Sequence, residues 1–146
     1  MTARLSTGLV KSLMDTDSFK SIFALGFIDI YSGIQPPTAD NAPTGTLLCT
    51  VYSDGASVGI SWSATAPAGV LSKLGSQTWS GTTVAGGTAG WFRLRAPGDT
   101  NALSTTQPRY DGAIATSGAE MSLGNLAMLA GAPFILAAAT FTLPQQ

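Results

Sequence analysis

The sequence predicts a mainly β, single-domain protein: an antiparallel sandwich or jelly roll with a short helical N-terminal segment. Six to eight short apolar or alternating runs are separated by turn-forming residues. Seventeen glycines and eight prolines in 146 residues favour turns over long helices. Helical periodicity is confined to the N-terminal quarter. We therefore divide the chain into a helical segment, residues 1–26, and a sandwich or jelly-roll domain, residues 27–146.

The N-terminal segment is predicted to contain two short helices. The first is indicated by apolar residues that share one side of a helical wheel: Leu5, Leu9, Val10, Leu13 and Met14. A second helical turn should be capped by Thr16 or Asp17 and should end at Gly26. Its apolar stripe consists of Phe19, Ile22 and Phe23.

Strands are predicted from the alternation that follows. Residues 27–32 alternate as a strand, residues 33–45 form turns, and residues 46–52 are the next strand. Residues 58–62 alternate over a shorter distance, which fits either a third strand or an extended loop. Residues 64–75 are irregular in pattern, so no element is predicted there.

The middle of the chain is predicted to form a hairpin. Residues 76–84 are polar and Thr-rich, and a Gly-containing turn at 85–88 would return the chain into a strand over 89–96. Residues 97–108 then form a long polar loop.

The C-terminal part is predicted to contain a second hairpin and a buried strand. Residues 109–115 and 119–123 would pair about the turn at 116–118. Residues 134–143 are apolar on both faces up to Thr140, which predicts a central, covered strand.

The strand over 89–96 is the part of the sequence with the clearest two-sided pattern. Alternation divides its side chains into Phe92, Leu94 and Ala96 on one face, and Trp91, Arg93 and Arg95 on the other. The first face suits a core. The second is either a solvated face, with a guanidinium against the indole, or a surface that docks on a partner. On the docking interpretation, replacing both arginines by Ser should keep the fold and weaken binding.

Composition excludes several classes of chemistry. There is no histidine, which removes His-dependent nucleophiles and His-ligated metals. The single cysteine, Cys49, excludes an intrachain disulfide, and its apolar surroundings predict a small buried side chain. The formal net charge of −1 provides no basic field, so nucleic acid is not expected as a partner. Only 10% of residues are charged, against about 25% in typical domains.

Membrane insertion and export are not expected either. Residues 123–143 carry no charge and are long enough to span a bilayer, but glycines, an asparagine and Pro133 interrupt them. Near the N terminus, Asp15 and Asp17 interrupt the apolar region that a signal peptide would need.

No catalytic or cofactor site is predicted. Gly86, Gly87 and Gly90 precede a strand rather than a helix, so a turn is favoured over a phosphate-binding loop. The carboxylates are scattered, and Asp40-Asn41 offers too few oxygens for calcium. We therefore expect no enzyme activity, no metal and no cofactor. The three tryptophans, Trp62, Trp79 and Trp91, fit a core better than a sugar-binding surface, although the second alternative stays open.

Several short strings, taken in order, resemble a family of small structural proteins of tailed bacteriophages and prophages. They lie at residues 4–9, 30–33, 35–36, 39–40, 44–48, 79–81, 87–93, 111–112, 117–120 and 141–144. The likeness extends over nearly the whole chain and is weakest at residues 54–75. It implies a component of the phage particle more firmly than it implies which component.

The resemblance favours a non-enzymatic capsid decoration, or cement, protein that bridges capsid subunits. The expected partners are the major capsid protein or other virion proteins, with self-association into a homo-oligomer, in a virion assembled in the host cytoplasm. The candidate partner interface consists of Trp91, Arg93, Arg95, Leu5, Leu9 and Leu13. A neck, collar or tail protein is the alternative, and a carbohydrate-binding surface module is the competing class.

Overall fold

The computed structural model, which describes residues 3–15, 17–55 and 57–142, confirms a mainly β, antiparallel fold with two short helices near the N terminus. Strands account for 39% of residues and helices for 12%. The elements in chain order are β1 (Arg4–Leu5), α1 (Thr7–Asp15), α2 (Phe19–Ile22), β2 (Phe27–Ser32), β3 (Leu47–Ser53), a 3-10 turn (Pro67–Gly69), β4 (Val70–Ser72), β5 (Trp79–Thr82), β6 (Gly87–Arg95), β7 (Arg109–Ala115), β8 (Met121–Ser122), β9 (Ala127–Met128), β10 (Pro133–Leu136) and β11 (Thr140–Thr142).

The main sheet has nine strands, with the order β1-β7-β6-β2-β3-β5-β10. Two short strands are added to this path, because β8 pairs with β7 and β9 pairs with β6. A second, two-stranded sheet consists of β11 and β4. The two sheets form the layers of the sandwich.

The core lies on one face of the main sheet. Ile28 on β2 is opposite Leu94 on β6, and Ile30 is opposite Phe92, and all four are fully buried. The second sheet covers this face, since the rings of Phe92 and Phe141 lie 6.5 Å apart. The prediction that Phe92 and Leu94 face a core is therefore confirmed.

Two tryptophans and the cysteine belong to the same core. The rings of Trp62 and Trp79 meet edge to face at 5.1 Å, and both side chains are buried. Cys49 is a free thiol with no exposure, as its apolar surroundings predict.

The N-terminal segment is bonded to the β domain rather than separate from it. Leu5 lies in β1, which pairs with β7, so the predicted helix begins later than its apolar pattern indicates. The Ser6 hydroxyl accepts from the Leu9 N–H at 3.1 Å, at the start of α1, and from the Arg109 N–H at 2.8 Å. Apart from β1, the helices lie before residue 26 and the strands after it.

The cap of α2 differs from the predicted one. Ser18 occupies the cap and forms a capping box with Ser21, so Asp17 does not, and Thr16 lies outside the described residues. The helix ends at Ile22, before Gly26. A capping box needs a partner side chain three residues after the cap. Ser21 is that partner for Ser18, whereas the residue three positions after Asp17 is Lys20.

The hairpin predicted between residues 76–84 and 89–96 is wrong. β6 is bordered by β2 and β7 along Trp91–Arg95, so β5 pairs with β3 and β10 instead. Of the two alternatives for residues 58–62, the structure shows the extended segment, with isolated bridges instead of a strand. Residues 70–72, in the region without a predicted element, form β4.

The C-terminal predictions also need correction. β8 runs parallel to β7, with Met121 beside Ile114, so residues 109–115 and 119–123 do not form a hairpin. β10 lies at the end of the main sheet rather than in its centre. It is also not covered on both faces: Phe134 and Leu136 turn inward, whereas Ile135 is 62% exposed. Residues 140–142 form β11, and Leu143 lies outside the described residues. Within the described part of the chain, no helix is long and apolar enough to cross a membrane.

Candidate functional site

The outer face of the main sheet carries an ionic layer over β2, β6 and β7. Asp29, Arg93 and Asp111 stand in one row across these three strands. The Arg93 Nε and Nη2 groups donate to the two Asp111 carboxylate oxygens at 2.7 and 2.8 Å, and both side chains are fully buried. The neighbouring Arg95 Nε donates to Asp29 Oδ2 at 2.6 Å.

Two loops fold over this face and are bonded to it by Arg109. Its Nε and Nη2 groups donate to the two oxygens of Asp99 at 2.6 and 2.7 Å, in the loop between β6 and β7. Its Nη1 group donates to Ala39 O at 3.3 Å and Asp40 O at 3.2 Å, in the loop between β2 and β3. One planar guanidinium thus holds two loops against the sheet, a geometry that lysine cannot reproduce.

An aromatic pair continues the layer. The Trp91 indole stacks on Tyr31, with ring centroids 4.6 Å apart and an interplanar angle of 14°. Its Nε1–H donates to Thr44 O at 3.3 Å, in the loop between β2 and β3. The Arg93 guanidinium lies 5.6 Å from the indole centroid, which confirms the predicted contact between guanidinium and indole.

The expected exposure of Trp91, Arg93 and Arg95 is wrong. Trp91 and Arg93 have no exposed surface and only 17% of the Arg95 side chain is accessible, so this face is neither solvated nor free for docking. Strand alternation separates two faces but does not show that loops cover the polar one. The ionic layer therefore acts within the monomer.

The other three candidate interface residues divide between core and surface. Leu9 is fully buried and Leu13 packs partly against the core, whereas Leu5 is 38% exposed. Binding of a partner at Leu5 stays a prediction. On the outward side of α1, Val10 is 47% exposed and Met14 is 81% exposed.

Burial shifts the ionisation of groups around the layer. It raises the pKa of the Asp111 carboxyl by more than the Arg93 guanidinium lowers it. It also raises the pKa of the Tyr31 hydroxyl, with a smaller contribution in the same direction from Asp29. On the core side of the sheet, burial raises the pKa of the Cys49 thiol to about 11.

The acids of the layer accept hydrogen bonds from fixed partners. Besides Arg95, Asp29 accepts from the Thr50 hydroxyl at 2.7 Å and from Asn101 Nδ2 at 2.9 Å. Asp99 also accepts from the Asn101 N–H at 2.8 Å. These bonds commit the carboxylates to holding loops in place, which suits them to structural stabilisation.

The outer face beyond the ionic layer carries an open groove whose lining contains no charged residue. Tyr52 on β3, Ser80 on β5 and Ile135 on β10 stand in one row. A groove of about 410 Å³ lies here; its lining consists of Tyr52, Gly55, Ser57, Thr78, Ser80, Gly81, Thr82, Val84, Pro133, Phe134 and Ile135. Val84 is 67% exposed. We call this surface the open face.

The tryptophans do not support a sugar-binding surface. Trp79 and Trp91 have no exposure and Trp62 has 5%, so none of them offers a ring on which a sugar can stack. The Trp62 Nε1–H donates to Phe23 O at 3.2 Å within the core.

Sequence reasoning missed the roles of Asp99 and Arg109. A usable signal was present in the strands, because Asp29 lies between two isoleucines and Asp111 precedes an apolar run. An acid inside an apolar strand needs a partner, and the arginines of a neighbouring strand supply it. The loop contacts had no such local signal.

Comparison with known proteins does not add a family to this geometry. No protein-family profile, no curated protein and no solved structure matches the chain.

Proposed function

We propose that this protein is a non-enzymatic structural component of a phage particle, with the capsid decoration role as the best-supported position. The sequence resemblance to small virion proteins supports this role. The mainly β fold, with its two loops bonded to the sheet, suits a protein that has to persist on an assembled particle. Such a protein stabilises a shell by binding the assembled state more tightly than its free subunits.

The observation that carries the proposal is the distribution of charge. The chain has seven basic and eight acidic residues, and three ion pairs on the outer face of the sheet take up six of these fifteen. The surface is correspondingly poor in charge, as the cores of protein interfaces are. Large apolar side chains are exposed at the same time: Leu5, Val10, Met14, Leu25, Ile34, Leu47, Val58, Val84, Leu103, Leu129 and Ile135.

We place the capsid contact on the outward side of the N-terminal segment. Val10 and Met14 are four residues apart and therefore share one side of α1. The only charged side chains of α1, Lys11 and Asp15, form an ion pair with each other. This combination presents apolar area with little net charge, and Leu5, which the sequence also indicates, is 38% exposed in β1, the element before α1.

The decisive experiment is a copy-number measurement on gradient-purified particles of the phage that encodes this chain. Quantitative gel densitometry should give a large copy number that matches the symmetry of the shell. A few copies per particle would support a neck, collar or tail position instead. Complete absence from particles would refute any virion role.

A binding assay tests the proposed contact. Purified protein is incubated with shells of the major capsid protein, and co-sedimentation is measured. Met14→Lys should weaken binding, since a truncated or mismatched anchor costs about 2 kcal/mol or more. Ile34→Lys is the matched control, because Ile34 is 77% exposed and lies in a loop. Equal binding by both variants would remove α1 from the interface.

A further inference from the structure

The main sheet ends in a strand whose second side is free. β10 (Pro133–Leu136) pairs with β5 on one side, and no described strand pairs with it on the other. An edge of this kind presents unpaired backbone donors and acceptors, and proteins usually protect such edges with charges, bulges or a covering segment.

A bulge at the start of β10 determines which backbone groups point outward. Gly131, with φ of 81°, donates its N–H to Thr83 O at 2.7 Å, and Thr83 donates back to Ala132 O at 2.9 Å. Since hydrogen-bonded positions alternate in an antiparallel ladder, Phe134 also bonds toward β5. The N–H and C=O of Ile135 therefore point away from the sheet.

The side chains along this edge offer no charge to oppose self-association. Residues 121–142 contain no charged residue. Ile135 is 62% exposed and stands on the open face beside Ser80 and Tyr52. Two copies that approach each other here would meet apolar and hydroxyl groups of the same kind, without the like-charge repulsion that separates edge strands in other proteins.

We propose that β10 of one copy pairs antiparallel with β10 of a second copy, with Ile135 opposite Ile135 on a two-fold axis. The two Ile135 residues then exchange both backbone hydrogen bonds, and their side chains lie next to each other on the open face. A two-fold contact uses the same patch on both copies and is closed, so it gives a dimer and not a filament.

The opposite edge of the sheet fits this role less well. β1 is only two residues long and one of them is Arg4, whose guanidinium donates to Pro36 O. Pro133 at the start of β10 also lies at an outward position and has no N–H to donate, so in the proposed pair it can only accept, and the two complete hydrogen bonds are those of Ile135. It also limits how far the pairing can extend in that direction.

Disulfide trapping tests the predicted geometry directly. In an antiparallel hydrogen-bonded pair the Cα atoms are about 5.5 Å apart, which lies within disulfide range. Ile135→Cys should give a cross-linked dimer on mild oxidation. Ile34→Cys, at a loop position that is more exposed than Ile135, should stay monomeric. The native Cys49 is buried and contributes no background.

Sedimentation equilibrium on the free protein tests the energetics. The wild-type chain should dimerise, and Ile135→Lys should raise the dimer dissociation constant about tenfold or more, because it places two like charges at the axis. Ile34→Lys should leave the dissociation constant unchanged. Thermal melts at low concentration check that both variants are folded.

Three outcomes would overturn the proposal. These are a wild-type chain that stays monomeric up to millimolar concentration, a dimer that is insensitive to Ile135→Lys, and equal cross-linking of the two cysteine variants. If the free protein is monomeric and Ile135→Lys weakens only binding to shells, the edge serves another protein and self-pairing is rejected. The measurement uses no particles, so its failure is distinct from failure of the virion role.

Discussion

Arg93 and Asp111 face each other across β6 and β7 with two parallel hydrogen bonds, at 2.7 and 2.8 Å, and neither side chain reaches solvent. Burial raises the pKa of Asp111, so the attraction of Arg93 does not fully offset the loss of hydration. The pair is therefore important mainly because neither member can be removed alone.

Asp111→Leu and Arg93→Met are each expected to destabilise the fold by about 3–5 kcal/mol, because each single change leaves a buried group without its partner. The double variant, Arg93→Met with Asp111→Leu, should lose less than the sum of the two single changes. Urea unfolding of the four proteins measures these values and their coupling.

The exposed pair Lys11–Asp15 is the matched control for this experiment. Its side chains are 74% and 54% accessible, and the residues are four apart on α1. Lys11→Met should leave the free energy of unfolding close to the wild-type value, because water screens an exposed ion pair. If Arg93→Met behaved like Lys11→Met, the ionic layer would contribute nothing to stability, and the expectation that Arg93 can be removed without loss of fold would be restored.

Two glycines, Gly90 in β6 and Gly86 just before it, give a second prediction. A Cβ on Gly90 would lie 2.1 Å from Gly33 O, whereas a Cβ on Gly86 would find its nearest neighbour, Met128 O, at 3.6 Å. Gly90→Ala therefore requires the backbone to move, and it should destabilise the protein by about 1–3 kcal/mol. Gly86→Ala should fall within about 0.5 kcal/mol of wild type.

Thermal melts of these two variants provide the comparison. Gly90→Ala should lower the melting temperature and Gly86→Ala should not. Equal melting temperatures would mean that the loop after β2 yields to the added methyl group, and that the close approach of Gly33 to β6 is not required.

Local pattern predicted individual strands better than their partners. The alternation of residues 27–32 and 109–115 matched β2 and β7, since a strand with one apolar face carries its own signal. Pairing of residues 76–84 with 89–96 was predicted from a turn alone, but β5 is held by β3 and β10, which are distant in sequence. Long-range pairing is decided by what borders each strand, and no local window contains that information.

The candidate site shows the same limit. The sequence placed Trp91 and Arg93 on one face and brought the guanidinium to the indole, both of which the structure confirms. The expected exposure failed because loop residues such as Asp99 and Thr44 cover that face. Loop positions follow from bonds to Arg109 and Trp91 rather than from periodicity.

Alkaline pH is expected to destabilise the protein through groups that hold their protons when folded. Burial raises the pKa of the Cys49 thiol to about 11 from 9.0, and it also raises the pKa of the Tyr31 and Tyr110 hydroxyls. A group whose pKa is higher in the folded state contributes stability below its unfolded pKa, and that contribution is lost as the pH rises toward the folded value. For Cys49 the loss falls between about pH 9 and 11.

Urea unfolding at pH 8, 9, 10 and 11 should therefore show a falling free energy of unfolding over this window. Cys49→Ala should flatten the part of the decline that belongs to the thiol while leaving the tyrosine part in place.

Thiol labelling tests the burial of Cys49 over the same pH range. The folded protein should react with a thiol reagent far more slowly than urea-unfolded protein, since Cys49 has no exposed surface. Rapid labelling at pH 8 without denaturant would show that the core opens around β3, and the predicted decline with pH would then have no basis in the burial of this thiol.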